Sequence, residues 1–214
     1  MKETLTRDDL VAALRKMGDD LTEQAETLRE LDAAIGDGDL GITITIGFGA
    51  LEEALDELAD QDMSTILMRG GMAFNRKAAS TFGALFATMT MRAARELRGV
   101  ESIGTAELAQ MATAAFEGVK ERGKAELGDK TMLDALGPTA EALQQAADEG
   151  VLLVVALERA EEAALKGVQA TVEMKSKTGR SSWFSERTQG VQDPGATAVY
   201  MMVRSLAGYV ATAE

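Results

Sequence analysis

The sequence predicts an all-α protein of eight antiparallel helices in one domain spanning residues 1–214, and three observations carry that expectation. Apolar residues recur at steps of three and four through almost every long segment, the period of one helix face. The composition favours helix, with Ala, Leu, Glu and Met abundant, aromatics at 4% and only two prolines, Pro138 and Pro194. With 214 residues, 46% of them hydrophobic, the chain can bury a sizeable core, and no shift in composition marks a linker.

The first helix is expected from Thr6 to Glu30, where Leu10, Leu14, Met17, Leu21, Ala25 and Leu28 keep the period and Thr6 with Asp8 and Asp9 suits an N-terminus. A second starts just after Gly41 and carries Ile44, Phe48, Leu51, Leu55 and Leu58 up to Asp60. Met63 to Arg76 and Phe82 to Arg98 read as two more, joined by the small residues Ala78, Ala79, Ser80 and Thr81. Ser80 or Thr81 is the expected cap of the fourth helix, and Gly83 lets a ligand or neighbouring backbone approach. Thr105 is the expected cap of a fifth helix to about Glu121, and a sixth runs from Leu133 to Ala147. Val151 to Glu173 reads as the seventh, although its first five residues alone would pass for a buried strand. The turn Asp193-Pro194-Gly195-Ala196 leads into the last, up to Tyr209, with Asp193 as N-cap and Pro194 at the first helical position.

Composition also excludes chemistries. Without cysteine there is no thiol nucleophile and no Cys-ligated zinc. Without histidine there is no phosphohistidine, no Ser-His-Asp triad and no imidazole base, so any chemistry falls to carboxylates, hydroxyls, Lys, Arg and bound ions. A formal charge of −13 argues against nucleic acid as a partner. No apolar run approaches the roughly 18 residues of a membrane span, and the N-terminus lacks a signal-peptide core, so a cytoplasmic protein is expected.

The stretch from Leu31 to Gly41 places Asp32, Asp37 and Asp39 among Gly36, Gly38 and Gly41 between two helices. Carboxylate oxygens on a loop that turns sharply suit a hard cation; Mg²⁺ completed by phosphate is the natural occupant, and two ions can share three aspartates. A solvated acidic turn is the alternative, since Asp-Gly pairs are common turn formers. The EF-hand register is absent. The helix after this loop offers unpaired N–H groups at its start, which makes Leu40, Gly41 and Thr43 a ready anion site. The connection Arg122 to Met132 is polar and carries Gly123 and Gly128, and Met174 to Pro194 is a long loop with Lys175, Lys177, Arg180 and Arg187. Arg180 is suited to phosphate oxygens. Antiparallel packing puts alternate connections at one end, so these four loops should meet there.

Together Asp32 with Gly36-Asp37-Gly38-Asp39, Gly83-Ala84-Leu85, Gly128-Asp129-Lys130-Thr131-Met132, Gly179-Arg180 with Glu186-Arg187, and Asp193-Pro194-Gly195-Ala196-Thr197 resemble the L subunit, or nucleotide-binding domain, of dihydroxyacetone kinases. The similarity covers nearly the whole chain. It implies an eight-helix antiparallel up-and-down barrel with ADP or ATP at one end and two Mg²⁺ ions on Asp32, Asp37 and Asp39. It implies a nucleotide site made of Leu40, Gly41, Thr43, Ser80, Thr81, Gly83, Gly128, Thr131, Met132, Arg180, Asp193, Pro194 and Gly195, with Asp37, Asp39 and Arg180 as the catalytic groups. It also implies a separate K-type subunit that holds the ketose through its own histidine, and either ATP as substrate or a retained ADP recharged by a phosphotransferase-system protein. The chain departs from the family where Leu40 replaces a histidine and Phe82 a serine; Thr43, Ser80 or Thr81 would then supply the hydroxyl. The long loop is expected to close over the nucleotide when Mg²⁺ is present, changing the fluorescence of Trp183 and protecting Arg180 and Arg187 from trypsin. The rival expectation is a non-catalytic nucleotide-binding regulatory module.

Overall fold

In the computed structural model, residues 2–178, 186 and 188–212 are described. Nine α-helices lie among them: α1 (Arg7–Glu23), α2 (Ala25–Ile35), α3 (Leu40–Leu58), α4 (Met63–Lys77), α5 (Thr81–Glu96), α6 (Thr105–Gly123), α7 (Leu133–Asp148), α8 (Leu153–Ala170) and α9 (Pro194–Thr212). From α3 onward each helix packs on the next, and α9 returns to pack on both α1 and α2, which closes the ring. Because α1 and α2 follow one another as a single stave, the expected eight-membered up-and-down barrel stands, drawn from nine helices.

The difference lies at Gln24. Its backbone N–H turns back to the carbonyls of Leu21 and Thr22, tightening one turn and ending α1. No glycine or proline announces the joint, and the apolar period runs through it, with Leu21 and Leu28 both fully buried. The break lets α2 approach α3 closely. At Gly41 an added Cβ would run into the Ala25 carbonyl, so the start of α3 is pressed against the start of α2.

The remaining starts follow side-chain capping. Thr6 and Asp9 form a reciprocal capping box, and Asp62 and Ser80 accept from the N–H groups of Thr65 and Gly83. Thr105 is not the cap of α6. Gly104 is, its N–H bonded to the Glu107 carboxylate, while the Thr105 hydroxyl donates to the Val151 carbonyl and ties α6 to the start of α8. That helix begins at Leu153 rather than Val151 and ends in a single 3₁₀ turn, Thr171–Glu173.

The barrel is filled by side chains such as Ile44, Phe48, Leu55, Ile66, Phe74 and Phe86, each at most 2% exposed. Burying a residue of this size stabilises by about 1.5–3 kcal/mol. Aromatics are few but concentrated. Phe48 meets Phe74 edge-on at 5.3 Å, and Phe86 lies 4.3 Å from Phe74. Such pairs add about 0.5–1.5 kcal/mol beyond area. The cluster joins α3, α4 and α5 just behind the end of the barrel where the loops converge.

Pro138 sits inside α7 and cannot bond the Asp134 carbonyl. The backbone of α8 fills that place, since a Cβ on Gly167 would strike the same carbonyl. Among the described residues no helix is long and apolar enough to cross a membrane.

Candidate functional site

Odd-numbered helices α3, α5, α7 and α9 all begin at one end of the barrel, and their first residues surround a cavity of about 310 Å³. Leu40 comes from α3, Ser80, Thr81 and Phe82 from α5, Thr131 to Leu133 from α7, and Asp193 to Gly195 from α9. Each helix start carries N–H groups without intrahelical partners and the positive end of a macrodipole, so four of them bring partial positive charge to one space. In a chain of formal charge −13, such a convergence is the kind of place where an anion can be held.

The acidic loop forms the facing wall. Ligand oxygens of Asp32, Asp37 and Asp39 lie within 4.8 Å of one another. Gly38 at φ +74° turns the chain. Gly36 leaves room for the Asp32 carboxylate, which a Cβ at that position would displace. The backbone N–H of Leu40 donates to Asp32 Oδ2 at 3.1 Å and fixes its orientation. Asp39 is pushed above the ordinary carboxylate range, first by its burial and then by the negative charge of Asp32. Three converging carboxylates, one of them destabilised by its neighbour, on a glycine-built cradle that opens to an anion pocket fit a hard divalent cation.

At the other side the loop before α7 winds around a side chain the sequence reading did not single out. The Asp134 carboxylate accepts from Gly128 N–H at 2.5 Å and Thr131 N–H at 2.7 Å. Thr131 Oγ1 in turn accepts from Leu133 N–H. The Thr131-x-x-Asp134 spacing is a capping-box signature, so this role was legible. Lys130 was not. It is 2% exposed, has φ +61°, and borders the cavity. Asp193 Oδ2 accepts from Ala196 N–H at 2.7 Å, as an N-cap should. Burial, then the nearby charge of Asp134, pushes its carboxyl up to about 7 against the N–H groups of Ala196 and Gly195 and the Lys130 ammonium.

Of the expected nucleotide contacts, Leu40, Ser80, Thr81, Thr131, Met132, Asp193, Pro194 and Gly195 line the cavity, with Asp32, Asp37 and Asp39. Gly41, Thr43, Gly83 and Gly128 do not. Gly41 packs on α2, Thr43 is buried with its N–H bonded to the Asp39 carbonyl, and a Cβ on Gly83 would meet the Ala78 carbonyl. Gly128 at φ +87° shapes the turn that presents Thr131. These four set the walls from behind. Phe82 forms the apolar side, stacked 6.4 Å from Phe86 at 16°. Gly179, Arg180, Trp183, Phe184 and Arg187, and with them the closing of the long loop, lie outside the described residues.

Comparison with known proteins places the chain in a family. The DAK2 domain model matches residues 34–208. The ADP-binding subunit of the PEP-dependent dihydroxyacetone kinase of Escherichia coli is 39% identical over 204 residues, 95% of this chain and 97% of that protein. The ADP-binding subunit of PEP-dependent dihydroxyacetone kinase 2 of Listeria innocua is 34% identical over 89% of this chain and 88% of its own. The crystal structure of the dihydroxyacetone kinase from C. freundii in complex with AMP-PNP and Mg²⁺ shares the fold at a TM-score of 0.73 and 23% identity, over 93% of this chain and 33% of that one.

Proposed function

The chain belongs to the DAK2 domain family, and from that premise we propose that it is the nucleotide- and Mg²⁺-binding subunit of a dihydroxyacetone-type kinase, a phosphotransferase whose ketose substrate is held on a separate K-type subunit. Residues 1–214 then act as one nucleotide-binding domain. The observation that carries the reading is the meeting of four helix starts and three aspartates on one cavity.

In this reading the starts of α5, α7 and α9 take the phosphate chain, through Ser80 and Thr81, Thr131, and Gly195. The apolar faces of Phe82, Leu85 and Leu133 receive the base. Asp32, Asp37 and Asp39 hold the metal, two ions being our expectation from the three carboxylates. Bound there, Mg²⁺ neutralises charge on the phosphates, the main requirement of phosphoryl transfer. Arg180 would add a guanidinium. Leu40 removes the donor a histidine would bring, and the backbone N–H groups at the helix starts supply donors in its place.

The histidine-free chain has no imidazole with which to hold a ketose, which supports leaving that step to a partner. Relatives named as ADP-binding subunits of PEP-dependent kinases favour a retained ADP, recharged by a phosphotransferase-system protein, over free ATP as donor. The ketose is dihydroxyacetone or a four-carbon relative, and the reaction is cytoplasmic. The test mixes the purified chain with a K-type subunit and the ketose, and supplies either ATP or PEP with the phosphotransferase proteins. Sugar phosphate in the PEP arm is expected; none in either arm would overturn the proposal.

A further inference from the structure

Lys130 lies in the turn between α6 and α7, and among the described residues its ammonium is hydrogen-bonded to backbone carbonyls alone. It donates to Thr171 O at 2.8 Å, Met174 O at 3.2 Å, Thr188 O at 2.5 Å and Val191 O at 2.6 Å. The first two acceptors belong to the segment leaving α8 and the last two to the segment entering α9. Four oxygens around a group with three N–H bonds is the environment of a coordinated cation rather than of an ordinary ion pair. Removing an ammonium from water is costly, and burial pushes Lys130 below the usual lysine range while the charge of Asp193 opposes that. Its left-handed backbone, in a residue with a Cβ, adds strain. A structural lysine on a helix surface would need neither.

The two segments it joins also brace each other. Ser176 N–H donates to Thr188 Oγ1 at 3.0 Å, Gly190 N–H to Val172 O at 2.8 Å, and Asp193 N–H to Thr171 Oγ1 at 2.9 Å. Each segment carries part of the cavity wall, Thr178 on one and Asp193 to Gly195 on the other, while Thr131 and Met132 follow Lys130 itself. One buried charge therefore sets the spacing of three wall pieces.

We propose that Lys130 is a positioning residue for the nucleotide: its ammonium is a built-in cation that holds the α8 exit, the α9 entry and the α7 start in binding geometry before any ligand arrives. The proposal rests on the reading of this cavity as the nucleotide site. Its chemistry is that of a monovalent cation in a carbonyl cage, and such a cage can be refilled.

Calorimetry with ADP and Mg²⁺ on the intact chain is the test, with Lys130→Met to keep the stem and Lys130→Ala to empty the cage. Both variants should bind ADP at least tenfold more weakly at temperatures where they remain fully folded. In Lys130→Ala, n-butylammonium should restore affinity, whereas tetramethylammonium, which cannot donate, should not. A purely structural role would lower the melting temperature and leave ADP affinity of the folded protein unchanged, and that result overturns the proposal. If both variants fail to fold, hydrogen exchange on the wild-type chain decides. The Ser176, Gly190 and Asp193 amides should be as protected as helix amides without nucleotide, and rapid exchange there overturns preorganisation. Failure of the wild-type chain to bind ADP would instead overturn the nucleotide reading.

Discussion

The two ends of the barrel each bury an aspartate, and the two behave in opposite ways. At the end away from the cavity, Asp9 loses solvation, yet the Lys2 ammonium, the Thr6 N–H and hydroxyl and the Tyr209 hydroxyl outweigh that loss and hold its carboxyl well below the usual range. Those four donors lie 2.5 to 2.9 Å away. The Leu5–Ile103 backbone bridge belongs to the same N-terminal segment. At the cavity end, Asp193 is pushed up to about 7 and Asp39 is also raised, because burial there is compounded by neighbouring acids. One end satisfies its polar groups internally. The other crowds its carboxylates beside the helix starts that line the cavity, an arrangement that a ligand of the right charge would stabilise.

The largest effect should come from removing a carboxylate at the cavity end. Asp37→Ala should abolish Mg²⁺-dependent ADP binding, read by calorimetry, without lowering the melting temperature; unchanged affinity would sink the metal assignment. Asp9→Ala should do the reverse. It strips the acceptor from four donors, so we expect a loss of about 2–3 kcal/mol in denaturant unfolding with ADP affinity preserved. If both variants lost both properties, the division of labour between the ends would be wrong.

Titration sharpens the contrast. A carboxyl raised from 3.8 to about 7 contributes stability that is fully present below its unfolded value and is lost as pH rises through the folded one. Unfolding free energy should therefore fall between about pH 4 and pH 7 by an amount on the order of 1 kcal/mol or more. Asp193→Asn, which can still accept from Ala196, should flatten that slope; a slope equal to wild type would show that another group carries it. Asp9, held low, has the opposite sign, its contribution present above its unfolded value and lost only as pH drops through the folded one. The smallest effect is expected at the exposed cap Asp62, where Ala should cost about 1 kcal/mol and leave nucleotide binding untouched.

Much of this was legible in the chain. Leu10 to Leu28 and Ile44 to Leu58 declare helices because an apolar stripe at period 3.6 has no other way to be buried, and glycines between aspartates declare a turn that gathers carboxylates. Ser80 and Asp193 announced their helix starts because capping is a contact between near neighbours in sequence. Even the meeting of four loops followed from antiparallel order. What the sequence could not fix were contacts between residues far apart along it. The break at Gln24 accompanies the close approach of α2 to Gly41, and Gly41, Thr43 and Gly83 turned to packing and Gly128 to shaping a turn rather than to the cavity. Lys130 stood out in the sequence only as one member of the stretch Gly128-Asp129-Lys130-Thr131-Met132. Its partners lie 41 to 61 positions away, and only the closed barrel brings those carbonyls around a single ammonium.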